Sequence, residues 1–274
     1  MKNLIRYFFI TACLAVTSCH DDSDSPLTPE PLLTRIEENG VTALELIFDA
    51  ERKLIRLNNF TEGDYSSYTL FEYGSHGLEE SRRYDADTDV LENKQQFTLD
   101  NQGRITSVEN YGPLSNFKEV ISKSTFTYDA SGRVLRKQYI FENNVVYFLQ
   151  DFTYDANDNL LKSQWTYEVH EPDEHIGAID EYTPGTNSIY DHLNTFYLLL
   201  DTSGVETYIL EMFNVSSHHT FFDGDGEIVN EYRLDASAQQ FNSKGFLTAQ
   251  VLTRHNLFKT EADVIRQMSY EYIE

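Results

Sequence analysis

Four stretches of the chain can be laid over one another residue for residue: 46–54 (LIFDAERKL), 97–105 (FTLDNQGRI), 126–134 (FTYDASGRV) and 152–160 (FTYDANDNL). Weaker copies centre on Gly74, Asp201, Asp223 and Asn242. With positions 49, 74, 100, 129, 155, 201, 223 and 242 as anchors, the preceding residue is always aromatic or Leu. Three residues after the anchor, Gly recurs at 77, 103, 132, 204, 226 and 245, six of the thirteen glycines in one register, with Arg52 and Asp158 as departures. Asp or Asn opening a type I turn bonds back to the turn backbone. Gly in the fourth place supplies the positive φ from which a strand resumes, often through a bulge. A chain punctuated in this way is a chain of hairpins.

The flanks agree. Phe126 and Tyr128 alternate with Thr127, the period-2 pattern of a half-buried strand. After the turn at 155, Leu161, Trp165, Tyr167 and Val169 fall on one face, and Lys162, Gln164 and Glu168 on the other. Residues 142–144 read as a turn leading onward. Eight units of two strands predict about sixteen strands. The fold expected is all-β, an antiparallel meander of repeated hairpins closed or nearly closed into a barrel-like body, with an open curled sheet as the alternative. Closure removes the exposed edges that an open sheet must protect.

The start of the chain reads as an address. Lys2 and Arg6 precede the ten apolar-rich residues 7–16 (YFFITACLAV), too few to span a bilayer, which takes about 20. Val16, Thr17 and Ser18 then lead into Cys19 in the manner of a lipobox, whose Cys becomes the first mature residue and carries lipid. Residues 1–18 are read as a lipoprotein signal peptide. Residues 19–34 are read as the lipidated Cys and an acidic, Pro-rich tether, and 35–274 as a single β-repeat domain. The acidic run after Cys19 resembles a surface-export signal as much as a solvated spacer. Loss of the signal takes the formal charge from −24 to −26 and leaves no free thiol, since Cys13 goes with it. Disulfide frameworks and Cys chemistry are thereby excluded. So much negative charge also speaks against nucleic-acid partners and against adsorption to anionic lipid.

The Tyr-Asp-x-x-Gly-Arg pattern resembles the YD repeats of Rhs-type proteins. With the lipobox and a body of this length, it is similar to a family of uncharacterised bacterial lipoproteins with a porin-like fold. The likeness covers roughly residues 35–274 and is sharpest at 126–134 and 152–160. It implies a barrel and implies nothing about activity. Nor does it imply a pore: Arg133, Arg136 and Lys137 put charge on both faces of one strand, where a membrane barrel needs an apolar outer band. The localisation expected is the cell envelope, lipid-anchored at the outer membrane, with the membrane contacted through the lipid alone and surface exposure an open option.

Motifs for chemistry are sparse. Asp85-x-Asp87-x-Asp89, Asp155-x-Asn157-x-Asn159 and Asp223-x-Asp225-x-Glu227 imitate the start of a calcium loop. They place Val90, Leu160 and Ile228 where Gly is required, and Gln96, Thr166 and Leu234 where Glu is required. They read as solvated turns. His218 and His219 are adjacent on a strand and point to opposite faces, so they read as structural rather than as a metal pair. No nucleophile elbow, phosphate loop or zinc-protease motif is present, and nothing points to a triad. No cofactor is expected.

The one irregularity is the 46-residue gap between anchors 155 and 201, about twenty residues more than the repeat needs. It gathers His170, Glu171, Asp173, Glu174, His175, Tyr182, Tyr190, Asp191 and His192, and long insertions in repeats collect on the binding face. These are the candidate ligand-binding residues. Imidazoles and carboxylates so close could hold a divalent ion, though the spacing matches no standard metal motif and a ligand-free acidic loop is the favoured reading. Three functions remain, in descending order: a tethered binding module for glycan or peptide, a structural or assembly protein of the envelope, and a carboxylate-dependent hydrolase.

Overall fold

The computed structural model describes residues 31–141, 145–167, 177–184, 214–223, 225–258 and 262–273. Sixteen antiparallel strands follow one another in chain order. They are β1 (Leu32–Glu38), β2 (Val41–Phe48), β3 (Leu54–Thr61), β4 (Asp64–Gly74), β5 (Gly77–Asp85), β6 (Leu91–Leu99), β7 (Ile105–Tyr111) and β8 (Val120–Tyr128). The second half is β9 (Val134–Phe141), β10 (Val145–Tyr154), β11 (Leu160–Tyr167), β12 (Gly177–Pro184), β13 (Asn214–Phe222), β14 (Ile228–Phe241), β15 (Leu247–Asn256) and β16 (Val264–Ile273). Each pairs with its neighbour in sequence and β1 pairs with β16, so the barrel closes and the open-sheet alternative falls. At the seam Ile36 faces Tyr270, and Gln267 donates its amide to Asn39 Oδ1 at 2.9 Å.

Six turns have the expected chemistry. At 49, 100, 129, 155, 223 and 242 the anchor's Oδ1 accepts the amides two and four residues on, at 2.8–3.0 Å. Gly103, Gly132, Gly226 and Gly245 all have φ between 79° and 88°, and Arg52 and Asp158 adopt the same left-handed conformation at 65° and 67°. A bulge follows most of these turns. It sends Leu160, not Leu161, inward: Leu160 is fully buried and Leu161 exposed. Residues 74–77 differ, forming a two-residue turn in which Gly74 pairs with Gly77.

The phase of the repeat also differs in one place. Anchors 223 and 242 flank the same strand, β14, so they lie on opposite rims. The turns at 49, 74, 100, 129, 155 and 242 share one rim, here the repeat rim. The turn at 223 sits on the other rim; residues 142–144, read as a turn, and anchor 201 lie outside the described residues. Two further boundaries move. Strand β1 begins at Leu32, inside the stretch read as tether, and residues 177–184, read as part of a long insertion, form β12.

Inside, apolar side chains line the wall toward the repeat rim. Leu46, Leu57, Phe71, Val108, Phe126, Phe152, Leu160, Leu247 and Leu252 belong to one buried cluster. Farther along the barrel the wall turns polar, with Ser67, Thr69, Ser81, Gln95, Asn110, Ser122, Ser124, Lys137, Gln150 and Ser163 all buried. Ser81 donates to Gln95 Oε1, and Gln95 donates on to Asn110 Oδ1, each at 2.9 Å. Outward positions carry ion pairs between neighbouring strands: Arg35–Glu45 at 2.8 Å, Arg82–Glu72 at 2.7 Å, Lys123–Glu109 at 2.9 Å and Arg136–Asp151 at 2.6 Å. Lys137, next to Arg136, points inward, so this strand does carry charge on both faces.

Candidate functional site

Strand pairing brings together residues that sequence spacing keeps apart. Asp180 on β12 lies opposite His219 on β13 and opposite Ser163 on β11. With a period of two, Ser217 and His219 share the inward face of β13. The result is a chain of short contacts. Ser217 Oγ is 2.7 Å from His219 Nε2, and His219 Nδ1 is 2.8 Å from Asp180 Oδ1. The other carboxylate oxygen accepts Ser163 Oγ and Trp165 Nε1, each at 3.0 Å. With Asp180 a carboxylate, the ring proton belongs on Nδ1 and Nε2 is left to accept the Ser217 hydroxyl. The imidazole is stacked on Tyr232 (centroids 4.5 Å apart, planes at 18°), and the Arg254 guanidinium carbon lies 4.0 Å from the Tyr232 ring centre.

Beside this network stands a wall of aromatic rings toward the rim opposite the repeat rim. Tyr139 stacks on Phe148 at 5.1 Å, Phe148 meets Trp165 at 5.3 Å, and Tyr147 meets Phe141 at 5.1 Å and Tyr167 at 5.6 Å. Tyr147 is the extra residue of a bulge in β10, which lets the alternation of the strand admit it to this group. All six rings keep part of their surface exposed, and Phe141 is 45% exposed. Burial, and then the neighbouring Tyr147 hydroxyl, raise the Tyr167 phenol above its ordinary pKa. The single Trp of the chain belongs to both features: its ring packs against Phe148 and its indole N–H holds Asp180.

Of the candidate ligand-binding residues, Tyr182 lies in the described part. It is buried on the inward face of β12, its ring edge-on to His219 at 6.3 Å. Cys19, His170, Glu171, Asp173, Glu174, His175, Tyr190, Asp191 and His192 lie outside the described residues. His218 and His219 do point to opposite faces. His218 is outside, 2.8 Å from Glu231, and His219 is in the inward network. Asp155 and Asp223 cap their own turns, and among the described residues no group of three or more His, Cys, Asp or Glu could hold a metal ion. Asp180, Ser217 and His219 do not stand out in the sequence as a group. The available signal was Ser-x-His in a strand, which places both on one face; the carboxylate could be found only from the β12–β13 register.

No family model and no curated protein matches the sequence. Among solved structures, a porin-like protein from Bacteroides uniformis superposes with a TM-score of 0.57 at 16% identity, covering 89% of this chain and 98% of its own. A porin-like protein from Bacteroides vulgatus gives 0.40 at 10% identity, over 89% and 99%, too distant to add to the argument. The likeness is one of fold: a porin-like barrel.

Proposed function

We propose that the protein is an envelope barrel, tethered by lipid on Cys19, that binds a glycan or peptide ligand at its aromatic wall. The wall carries the reading. Six partly exposed rings gathered on adjacent strands, with hydrogen-bonding groups just below, match the usual make-up of a ligand site: apolar lining and a few placed polar groups. The outer face supports a barrel standing in water. Charges such as Arg136 and Lys123 at a bilayer midplane would each cost about 2–4 kcal/mol. The tether rests on the signal and Cys19 pattern in the sequence. The carboxylate nearest the wall's polar floor, Asp180, is engaged by three donors rather than poised against a second carboxylate, which weakens the carboxylate-hydrolase reading.

Trp165 is a built-in reporter. Titration with soluble oligosaccharides and with short aromatic peptides should change its emission saturably, and Tyr147→Ala should weaken that binding roughly 3- to 10-fold, the worth of one aromatic contact. A flat response across both panels would remove the binding reading.

A further inference from the structure

We propose that Ser217, His219 and Asp180 form a nucleophilic triad that cleaves carboxylic esters inside the barrel. The parts stand in the required order. A hydroxyl lies at hydrogen-bond distance from one imidazole nitrogen, and a carboxylate from the other, at 2.7 and 2.8 Å. The carboxylate is itself held by Trp165 and Ser163, and the ring is held against Tyr232, so the tautomer and orientation that make Nε2 a base are fixed by neighbours on three strands. Ser217 and His219 lie on a strand paired on both sides.

In the reaction, Ser217 Oγ attacks the ester carbonyl carbon while its proton passes to His219 Nε2. Collapse of the tetrahedral adduct breaks the bond to the alcohol oxygen, which leaves with that proton, and Ser217 is acylated. Water then adds to the acyl carbonyl and gives a proton to Nε2. The second collapse releases the carboxylic acid and returns the hydrogen to Ser217. Asp180 keeps its proton count throughout and holds the imidazolium. Placement of the alcohol portion against the aromatic wall rests on the binding reading above; the triad does not.

One component of fast hydrolases is not supplied by the strand that carries the nucleophile. Because β13 is laddered to β12 and β14 from Ser216 to Phe222, its amides are committed to the sheet and do not converge on an oxyanion. The Arg254 guanidinium lies beyond Tyr232, on the ring that stacks on His219, and not against the nucleophile. An oxyanion donor contributes about 10²–10³ in rate. Slow turnover is therefore expected, with acyl-Ser217 accumulating from an activated ester.

The test is incubation of the purified protein with p-nitrophenyl acetate, following nitrophenolate release and mapping acetylated peptides by mass spectrometry. The expected result is a burst approaching one nitrophenolate per protein, with the acetyl group on Ser217. Ser217→Ala should lose the burst, and Asp180→Asn, which favours the wrong tautomer, should slow it at least about tenfold. Circular dichroism checks that both variants are folded, and the peptide map of the unsubstituted protein decides the matter if either is not. Acetyl groups scattered over lysines with none on Ser217, or an undiminished burst from folded Ser217→Ala, would overturn the triad. Acylation of Ser217 without any Trp165 response to oligosaccharides or peptides would instead overturn the binding reading alone.

Discussion

The consensus residues of the repeat each have one job at the turn, and the jobs differ in kind. Gly132 sits at φ 88°, and a methyl group added to its Cα would meet nothing nearer than Arg104 Nη1, at 3.8 Å. Its requirement is therefore backbone conformation and not packing. Gly132→Val should destabilise by roughly 1–2 kcal/mol, read from the denaturation midpoint; an unchanged midpoint would show that the turn does not need the left-handed conformation. At 100 and 155 the anchor adds charge to its acceptor role. The Arg104 amide, the Arg104 guanidinium and the Gln102 amide hold the Asp100 carboxyl below its ordinary pKa, and the Asn159 side chain and amide do the same for Asp155. A carboxyl lowered in the folded state adds stability above its unfolded pKa and loses it as pH falls through the folded value. Melting temperature should thus drop on acidification below about pH 4. Asn242 fills the same place with an uncharged acceptor, so Asp100→Asn with Asp155→Asn should keep both turns while flattening that acid slope. An equally steep slope in the double variant would assign the acid sensitivity to other carboxylates.

Between hairpins, the Tyr before the anchor and the basic residue after the Gly make a clasp. Tyr73, Tyr128 and Tyr154 donate their hydroxyls to the carbonyls of Leu54, Ile105 and Val134, at 2.6–3.0 Å, and Tyr272 on the last strand, which precedes no anchor, does the same to Leu247 at 2.8 Å. Each acceptor lies five residues after the anchor of a preceding unit. In return, Lys53, Arg104 and Arg133 sit over the rings of Tyr73, Tyr128 and Tyr154 at 4.6–5.7 Å, while Arg104 and Arg133 also bond their own anchors. The Tyr-Asp and Gly-Arg halves of the motif therefore meet across units and stitch the repeat rim together. Burial pushes the Tyr73 phenol up to about 12, as expected for a hydroxyl committed as a donor. Tyr128→Phe should cost about 1 kcal/mol in thermal or denaturant unfolding with the fold retained; no loss would mean that the clasp contributes nothing net. The turn chemistry and the strand periodicity made this much of the fold legible, because both are local. The rim assignment of the turn at 223 was not: a 19-residue spacing spans one long strand, β14, where each spacing from anchor 49 to anchor 155 spans two. The triad was illegible for a related reason. Asp180 and His219 are neighbours only through a cross-strand register, which residue types do not encode locally.

At the scale of the whole molecule, the two faces of the barrel carry opposite instructions. The inner face holds the apolar cluster, the polar layer and the aromatic wall, and the outer face is laced with ion pairs. A lipid-facing barrel inverts that outer pattern, since charge in hydrocarbon, paired or not, is costly on every strand where it occurs. The same argument separates the fold from the anchor. If the barrel stands in water, as proposed, attachment to a membrane would come from elsewhere in the chain, and the proposed lipid on Cys19 would supply it. A barrel held only by lipid should be released intact when the lipid site is removed. Expression of Cys19→Ala should therefore move the protein from the membrane fraction to the soluble fraction, with an unchanged β-type circular dichroism spectrum in detergent-free buffer. Continued membrane association of the folded variant would mean that the barrel itself contacts the bilayer, and the water-facing reading of its charged outer wall would fall with the tether.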